Sequence, residues 1–290
     1  MIFYEDPDEK PSWRFRIVRN LVMWWAMFVA VSGIAIISLL VLAPPITALV
    51  NLGCQGHSPR SATIDATGAR SLRVVSDRGD LEINGRTGLS EVRVEGVACA
   101  SQNDRSSVIR IRLTAVREND EIVVTVDLPE SVRGGRLDLI IDAPGDLPLI
   151  DITDEHGPVI VTNVRGLRAV VGNGGLEGRG ISGDVDVPSL RGSITLLDIG
   201  GNVNLDEVRG AAGIDIQNVS GDVTIGLNLN GPATITDVSG DVTVANAGFG
   251  ALVLERVAGD LVVEDNLRGD ISHRDIGGRV QLPGDADPGS

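Results

Sequence analysis

The stretch VSGDVTIGLNLNGPATITDVSGDVTV (residues 219–244) decides the fold, because it contains nearly the same heptapeptide twice, 19 residues apart. Variants of the heptapeptide occur on both sides of it: ISGDVDV (181–187), IGGNVNL (199–205), VAGDLVV (257–263) and IGGRVQL (276–282). The six starts lie 18, 20, 19, 19 and 19 residues apart. Such a regular period is typical of an array of stacked structural units.

Each unit also contains a second short segment in which apolar and polar residues alternate, at 194–196, 214–216, 233–235, 252–254 and 271–273. Alternating segments bounded by Gly-Asp or Asn-Gly corners predict short β-strands with tight turns. A unit of this size cannot bury a core alone, so neighbouring units must stack and pair their strands. The sequence therefore predicts an all-β β-solenoid with rungs of about 19 residues.

The strand positions of the repeat divide into an inward and an outward set. Val223, Ile225, Val242 and Val244 are predicted to fill a narrow aliphatic column. A column this narrow has no room for aromatic rings, and Phe249 is the only aromatic residue after Phe28.

Residues 62–166 are predicted to be a less regular lead-in of the same type, with alternating segments at 71–75, 80–83, 91–94, 108–113, 122–126 and 137–141. Residues 101–107 are predicted to form a polar loop. The glycine-rich run GNGGLEGRG (172–180) is predicted to interrupt the strands as an extruded turn. The solenoid is expected to span 62–283, followed by a polar tail at 284–290.

The N-terminal segment predicts a single membrane span. No charged residue lies between Arg19 and Arg60, and residues 20–43 are almost entirely apolar, which is long enough to cross a bilayer. Four cations precede the span, so the positive-inside rule places residues 1–19 in the cytoplasm. Residues 44–61 are then a linker, and the rest of the chain is exported. A cleaved signal peptide and a lipoprotein modified at Cys54 are the alternatives.

Both cysteines, Cys54 and Cys99, lie on the predicted exported side. Two cysteines in an oxidising compartment predict one disulfide bond, and two buried free thiols are the alternative.

The repeated SGDV corners, the opening SLRVVSDRGDLEING (71–85) and the segments EIVVTVDLP (121–129) and RLDLIIDAP (136–144) resemble the bacterial putative-adhesin family. The resemblance covers residues 60–283. It implies a β-solenoid exposed in the cell envelope, often behind a membrane anchor, and it carries over no catalytic residue.

A column of polar residues follows the corner glycines: Asp184, Asn202, Asp222, Asp241 and Asp260. Asp and Asn are ordinary turn residues at such corners, because their side chains bind nearby backbone N–H groups. Stacked carboxylates also attract hard cations such as calcium, and a pair about 5 Å apart matches a retaining glycosidase. We expect the turn role, with structural calcium binding as the weaker alternative and no catalytic residue or cofactor. The histidines His57, His156 and His273 are scattered and are expected on the surface.

The formal net charge of −15 and the presence of only one aromatic residue, Phe249, in the repeat disfavour nucleic-acid binding. The sequence predicts a single-pass protein of a bacterial cell membrane, held there by residues 20–43. Its exported domain is predicted to be a non-enzymatic, adhesin-like module that binds an envelope protein or polysaccharide. A self-assembling envelope scaffold and a polysaccharide-active enzyme are the alternatives.

Overall fold

The computed structural model describes residues 56–100, 105–132, 134–209, 213–229, 231–246, 248, 250–265 and 269–284. In these residues the elements are β1 (Gly56–Asp65), β2 (Ser71–Arg78), β3 (Leu81–Arg86), β4 (Glu91–Ala100), α1 (Arg105–Ile109), β5 (Arg112–Glu118), β6 (Glu121–Asp127), β7 (Arg136–Pro144), β8 (Leu149–His156), β9 (Val159–Thr162), β10 (Leu167–Asn173), β11 (Leu176–Ile181), β12 (Val185–Arg191), β13 (Ile194–Ile199), β14 (Val203–Arg209), β15 (Ile214–Val219), β16 (Val223–Leu229), β17 (Ala233–Val238), β18 (Val242–Asn246), β19 (Leu252–Val257), β20 (Leu261–Asp265), β21 (Ile271–Ile276) and β22 (Val280–Gln281).

The strands form two 11-stranded sheets. Sheet A contains β1, β3, β4, β7 and the odd-numbered strands from β9 to β21, and sheet B contains the others. From β8 onward the chain alternates between the sheets, and each strand pairs in parallel with its equivalents in the turns before and after it. The predicted β-solenoid is confirmed.

The core is the aliphatic column that the alternation predicts. Leu196, Ile216, Ile235 and Leu254 pair in succession from β13 to β19, and each side chain is 0% exposed. Burial of each such side chain stabilises the fold by roughly 1.5–3 kcal/mol. In the last rung of sheet A, His273 pairs with Leu254 and is exposed, so this column ends in a polar side chain.

A second column, of residues with left-handed backbone, bends the strands of sheet A from β11 to β21 near their ends. Its members are Gly180, Asp198, Asn218, Asp237, Arg256 and Asp275, with φ between 55° and 64°. The bend puts two adjacent residues outside and returns the next one to the core, as Gln217, Asn218 and Val219 illustrate. Glycine, Asn and Asp tolerate this conformation better than other residues.

We expect Asn218→Val to destabilise the solenoid by about 1–2 kcal/mol, because a β-branched residue is strained at a φ of 58°. The change also removes the hydrogen bond that Asn218 Nδ2 donates to Asp198 Oδ1. Urea denaturation followed by circular dichroism measures the effect. Asn218→Gly, which loses the same hydrogen bond without the strain, should be more stable than Asn218→Val, and equal midpoints would contradict the argument.

A column of glycines forms the corner where sheet B leads into sheet A. It consists of Gly79, Gly157, Gly174 and Gly192. The N–H of Gly157 donates to the carbonyl of Asn173, and the N–H of Gly174 donates to that of Arg191, so adjacent turns are bonded backbone to backbone. A Cβ on Gly174 would lie 1.9 Å from the carbonyl oxygen of Gly157, which leaves no room for any side chain.

The lead-in is only partly of the predicted type. The rung of β2 and β3 lies between the rung of β6 and β7 and the rung of β8 and β9, out of chain order. In addition, β1, β4 and β5 form antiparallel pairs beyond these rungs. Antiparallel strands that cover the end of a parallel stack limit edge-to-edge association.

Two local predictions are wrong. Residues 108–113 do not form one strand, because α1 ends at Ile109 and β5 begins at Arg112. Val108 and Ile111 are buried while Ile109 is 69% exposed, a spacing that fits a helical turn. Arg60 donates from Nη2 to the carbonyl of Val108 and from Nε to that of Ile111, which satisfies acceptors at this turn.

The glycine run at 172–180 does not interrupt the stack, because β10 and β11 occupy it and pair with the neighbouring turns. The glycines are needed instead for close packing between turns. A Cβ on Gly178, for example, would lie 2.8 Å from the Leu196 side chain.

The domain begins earlier than predicted, since β1 starts at Gly56, inside the predicted linker. In the part of the chain described, no helix is long and apolar enough to cross a membrane. The predicted cytoplasmic tail (1–19) and membrane span (20–43) lie outside these residues, as does most of the polar tail (284–290).

Candidate functional site

The polar column at the Gly-Asp corners is a ladder of hydrogen bonds between turns. Each side chain accepts, through Oδ1, the backbone N–H of its equivalent in the next turn. The donor–acceptor distances are 2.8 Å for Asn202 to Asp184, 2.9 Å for Asp222 to Asn202, 2.9 Å for Asp241 to Asp222, 2.7 Å for Asp260 to Asp241 and 2.7 Å for Arg279 to Asp260. We call this column the corner ladder.

The corner glycines from Gly201 to Gly278 make room for the ladder. A Cβ on Gly240 would lie 2.1 Å from Asp222 Oδ1, and one on Gly259 would lie 2.1 Å from Asp241 Oδ1. The glycines are also bonded to one another, since Gly240 N–H donates to the Gly221 carbonyl at 3.2 Å. The Gly-Asp pair is thus one structural unit in which glycine admits the carboxylate of the previous turn.

The ladder geometry matches the turn role expected for these residues, with the bonds running to the next turn. One oxygen of Asp184, Asp222, Asp241 and Asp260 is engaged with the backbone, and Asn202 serves in the same way with no charge. At the last turn, Asp260 Oδ2 also lies 3.5 Å from Arg279 Nη2. Binding of calcium by the column stays a prediction.

We expect Asp222→Ala to lower the free energy of unfolding by about 1 kcal/mol, because the N–H of Asp241 loses its acceptor. Thermal unfolding followed by circular dichroism measures the loss. Asp222→Asn keeps an Oδ1 acceptor, as Asn202 does one turn away, and should unfold close to the wild-type temperature. Equal losses in the two variants would show that the charge, and not the hydrogen bond, stabilises the corner.

A cluster of charged residues lies at the glycine corner, where β2 and β8 end. Asp77, Glu155 and His156 bring one nitrogen or carboxylate oxygen each to within 4.8 Å of one another, the one such group of three in the described residues. His156 Nδ1 lies 3.7 Å from Asp77 Oδ1, and Arg78 Nε lies 3.8 Å from the same oxygen. The Arg78 guanidinium offsets the charge of Asp77, so we assign no metal to this corner cluster.

Asp154 lies next to the corner cluster but points into the core. Its side chain is 1% exposed, and neither carboxylate oxygen has a hydrogen-bond partner. Burial raises the pKa of Asp154 to about 6. Sequence reasoning missed this residue, although a signal was present: Ile150 and Ile152 take the inward positions of β8, and Asp154 takes the third.

Two shallow grooves of the described surface lie at corners. One of 340 Å³ follows three turns beside the left-handed column and is lined by Gly180, Ser182, Asp198, Asn218 and Ser220. Another, of 520 Å³, is lined by Leu149, Arg165, Arg168, Asp184 and Asp186. Serine and aspartate side chains line the first groove, and arginine and aspartate side chains line the second.

The predicted site residues are thus distributed along the stack. The described ladder residues stand in one column, whereas His156 ends β8 at the glycine corner and His273 lies within β21, in a different turn. Cys99 is buried and disulfide-bonded. Cys54, the other cysteine of the sequence, lies outside the described residues, so its pairing with Cys99 stays a prediction.

No protein-family model and no curated protein matches the chain. A putative adhesin from Bacteroides fragilis NCTC 9343 is similar at 12% sequence identity and a TM-score of 0.42, and the match covers 79% of this chain and 98% of that one. A putative cell adhesion protein from Clostridium sporogenes ATCC 15579 (11% identity, TM-score 0.28) matches over 78% of this chain and 99% of its own, and a putative adhesin from Parabacteroides merdae ATCC 43184 (12% identity, TM-score 0.28) matches over 78% and 96%. These sequence identities and TM-scores are too low to support an argument about function.

Proposed function

We propose that the chain is a membrane-anchored, exported binding module of the cell envelope, adhesin-like and non-enzymatic. The observation that carries the proposal is the pair of long outer faces of the two sheets, on which side chains stand in straight rows. Such faces suit an extended protein or polysaccharide better than a small molecule, which favours concave pockets.

The rows continue across many strands. On sheet A, Glu177, Thr195, Asp215, Thr234 and Val253 pair in succession. On sheet B the row is Arg73, Asp151, Arg168, Asp186, Asn204, Thr224 and Thr243. We call these rows face A and face B.

Charges on face B alternate in sign and are partly paired, as in the 3.4 Å contact between Arg168 Nε and Asp186 Oδ2. A row of alternating charge offers no continuous basic stripe for a phosphate backbone. The row supports a protein or polysaccharide partner and disfavours nucleic acid.

Engagement of the corner ladder with the backbone supports a non-enzymatic role. Each carboxylate of the ladder has one oxygen occupied by the next turn, which leaves the pair poorly suited to serve as nucleophile and general acid. The proposed anchoring and export rest on the apolar segment at 20–43 and the cations before it.

Two matched variants test the proposal on the purified full chain in detergent. Thr234→Arg on face A and Thr243→Arg on face B make the same change on β17 and β18, strands of opposite sheets that follow each other in the chain. The probes are peptidoglycan sacculi and an immobilised envelope-protein fraction. We expect saturable retention on one probe, weakened at least about tenfold by one variant and unchanged by the other.

Other outcomes contradict the proposal. Retention on neither probe, or equal retention of both variants and the wild type, would remove the evidence for a binding face. Soluble fragments released from the sacculi would favour the enzyme, and sedimenting species that grow with concentration would favour the self-assembling scaffold.

A further inference from the structure

The out-of-order rung divides the described chain into two modules joined by one short connection. The first comprises β1 to β7 with α1, the second comprises β8 to β22, and residues 145–148 connect them. Sheet pairing between the modules consists of the parallel pairs of β2 with β8 and of β3 with β9. The modules are therefore held together mainly by one layer of rung-to-rung contact, which we call the module interface.

Asp154 lies in the core of this interface. It pairs in register with Ser76 of β2 on one side and Val171 of β10 on the other, and its neighbours Ile150 and Ile152 on β8 are fully buried. A Cβ on Gly157 would lie 3.5 Å from Asp154 Oδ2, so the carboxyl group lies under the glycine corner. Neither of its oxygens has a hydrogen-bond partner.

A second buried carboxylate, that of Asp138 in the first module, has the partners that such a group normally needs. Asp138 is 7% exposed, lies 3.3 Å from Arg136 Nε and accepts the N–H of Asp80 at 3.1 Å. A buried carboxylate is normally paired in this way, because an unpaired buried charge is costly. Asp154 has neither a guanidinium nor a backbone N–H bonded to it, although its position in the core is more enclosed.

We propose that Asp154 is a proton-controlled latch: with its proton bound it closes the module interface, and on losing the proton it loosens β2 and β3 from β8 and β9. The neutral carboxyl group is tolerated in the core, whereas the ionised group is stabilised only when the interface opens and water reaches it. The latch thus couples a single proton to the contact between the two modules.

The charged groups that act on Asp154 set the pH range. Burial raises its pKa from 3.8 to about 6, and the nearby Ser76 hydroxyl and His156 only partly offset this rise. Asp77 of β2 and Glu155 of β8 reinforce it. Because the closed state holds the proton more tightly than the open state, the closed form is favoured most below pH 4 and loses this advantage as the pH rises to about 6.

Hydrogen exchange of the full chain tests the latch, with rates corrected for the intrinsic effect of pH. Protection factors of peptides from β2 and β8 are compared with those of β16 to β20, where no equivalent carboxylate occurs in the buried core. We expect wild-type protection at β2 and β8 to fall between roughly tenfold and a hundredfold from pH 4.5 to 7.5, relative to the reference strands.

Three variants make the test specific. Asp154→Asn and Asp154→Val carry no titratable group at this position, and both should show protection that is independent of pH. If one of the two variants does not fold, the other still provides the test. Asp151→Asn, an outward change on the same strand, should retain the wild-type dependence. Wild-type protection that does not change with pH overturns the latch. The latch is also overturned if protection becomes independent of pH in His156→Gln but still depends on pH in both Asp154 variants. That result would assign the effect to the corner cluster.

Discussion

Gly192→Ala is expected to destabilise the solenoid by more than about 4 kcal/mol, or to prevent its folding, because the corner has no room for a methyl group. A Cβ at this position would lie 1.4 Å from the Gly174 carbonyl oxygen, and the φ of 150° is one that residues with a side chain rarely adopt. The atom in the way belongs to the backbone of the previous turn. Relief of the clash must therefore separate two turns and break the bonds between them.

A control separates the clash from the backbone strain. Gly88 also has a positive φ, of 80°, but a Cβ there meets nothing within 4 Å. Gly88→Ala should therefore lose only about 1–2 kcal/mol from strain. Soluble yield and urea denaturation of the full-chain variants measure both effects. A Gly192→Ala protein as stable as Gly88→Ala would show that the turns can separate at little cost.

Asp154→Val is expected to raise the stability of the protein at pH 8 by about 2 kcal/mol, or roughly 4–8 °C in unfolding temperature. Since the pKa of Asp154 is raised to about 6 in the folded state, folding at pH 8 buries an ionised group that lacks a partner. Valine occupies the equivalent position on β10, at Val171, so the substitution extends an existing apolar column.

The direction of the stability change in Asp154→Val follows from the pH dependence of folding. Folding favours the protonated form of Asp154, so the wild type loses stability from pH 4 to about 6 and then loses no more. The gain from Asp154→Val should be small at pH 4 and fully developed at pH 8, as measured by calorimetry at both values. Asp151→Val, which removes a half-buried partner of Arg73, is the control and should give no such gain. A less stable Asp154→Val protein at pH 8 would mean that the carboxylate has a stabilising role.

The regular part of the fold could be predicted because its signals are local. The SGDV corners mark the turns, and the aliphatic residues that follow them, such as Val223 and Ile225, are fully buried as predicted. Asp222 and Asp241 could be predicted as corner residues for the same reason. The strands and turns of each rung are specified by the residues of its own repeat, so a wrong assignment in one turn does not alter the assignment of the next.

The first module could not be predicted because its pairings are non-local. Alternation identifies β2 and β3 as strands, but it does not encode that they pair with β8 and β9, more than 70 residues later in the chain. It also does not show that β4 runs antiparallel to its neighbours. Partner and direction depend on tertiary packing, which the period of a strand leaves open.

The environment of Asp154 could be predicted only in part from the sequence. The alternation in β8 places Asp154 on the inward side, so its burial could have been inferred, whereas its lack of a partner depends on Ser76 and the glycine corner of another turn. Arg256 could not have been placed in the left-handed column from its residue type, because the Asp237 carboxylate that it contacts lies one turn away.

The insertion of β2 and β3 between later strands also bears on how the protein acquires its structure during synthesis. The pairings among β1 to β7 involve only residues up to 144, so this part can assemble before β8 has been made. It then presents the exposed edges of β2 and β3 as a template, and each following turn adds to the one before it. Assembly is thus directional and its later steps have low contact order, which favours fast folding and leaves only one growing edge open to misassembly.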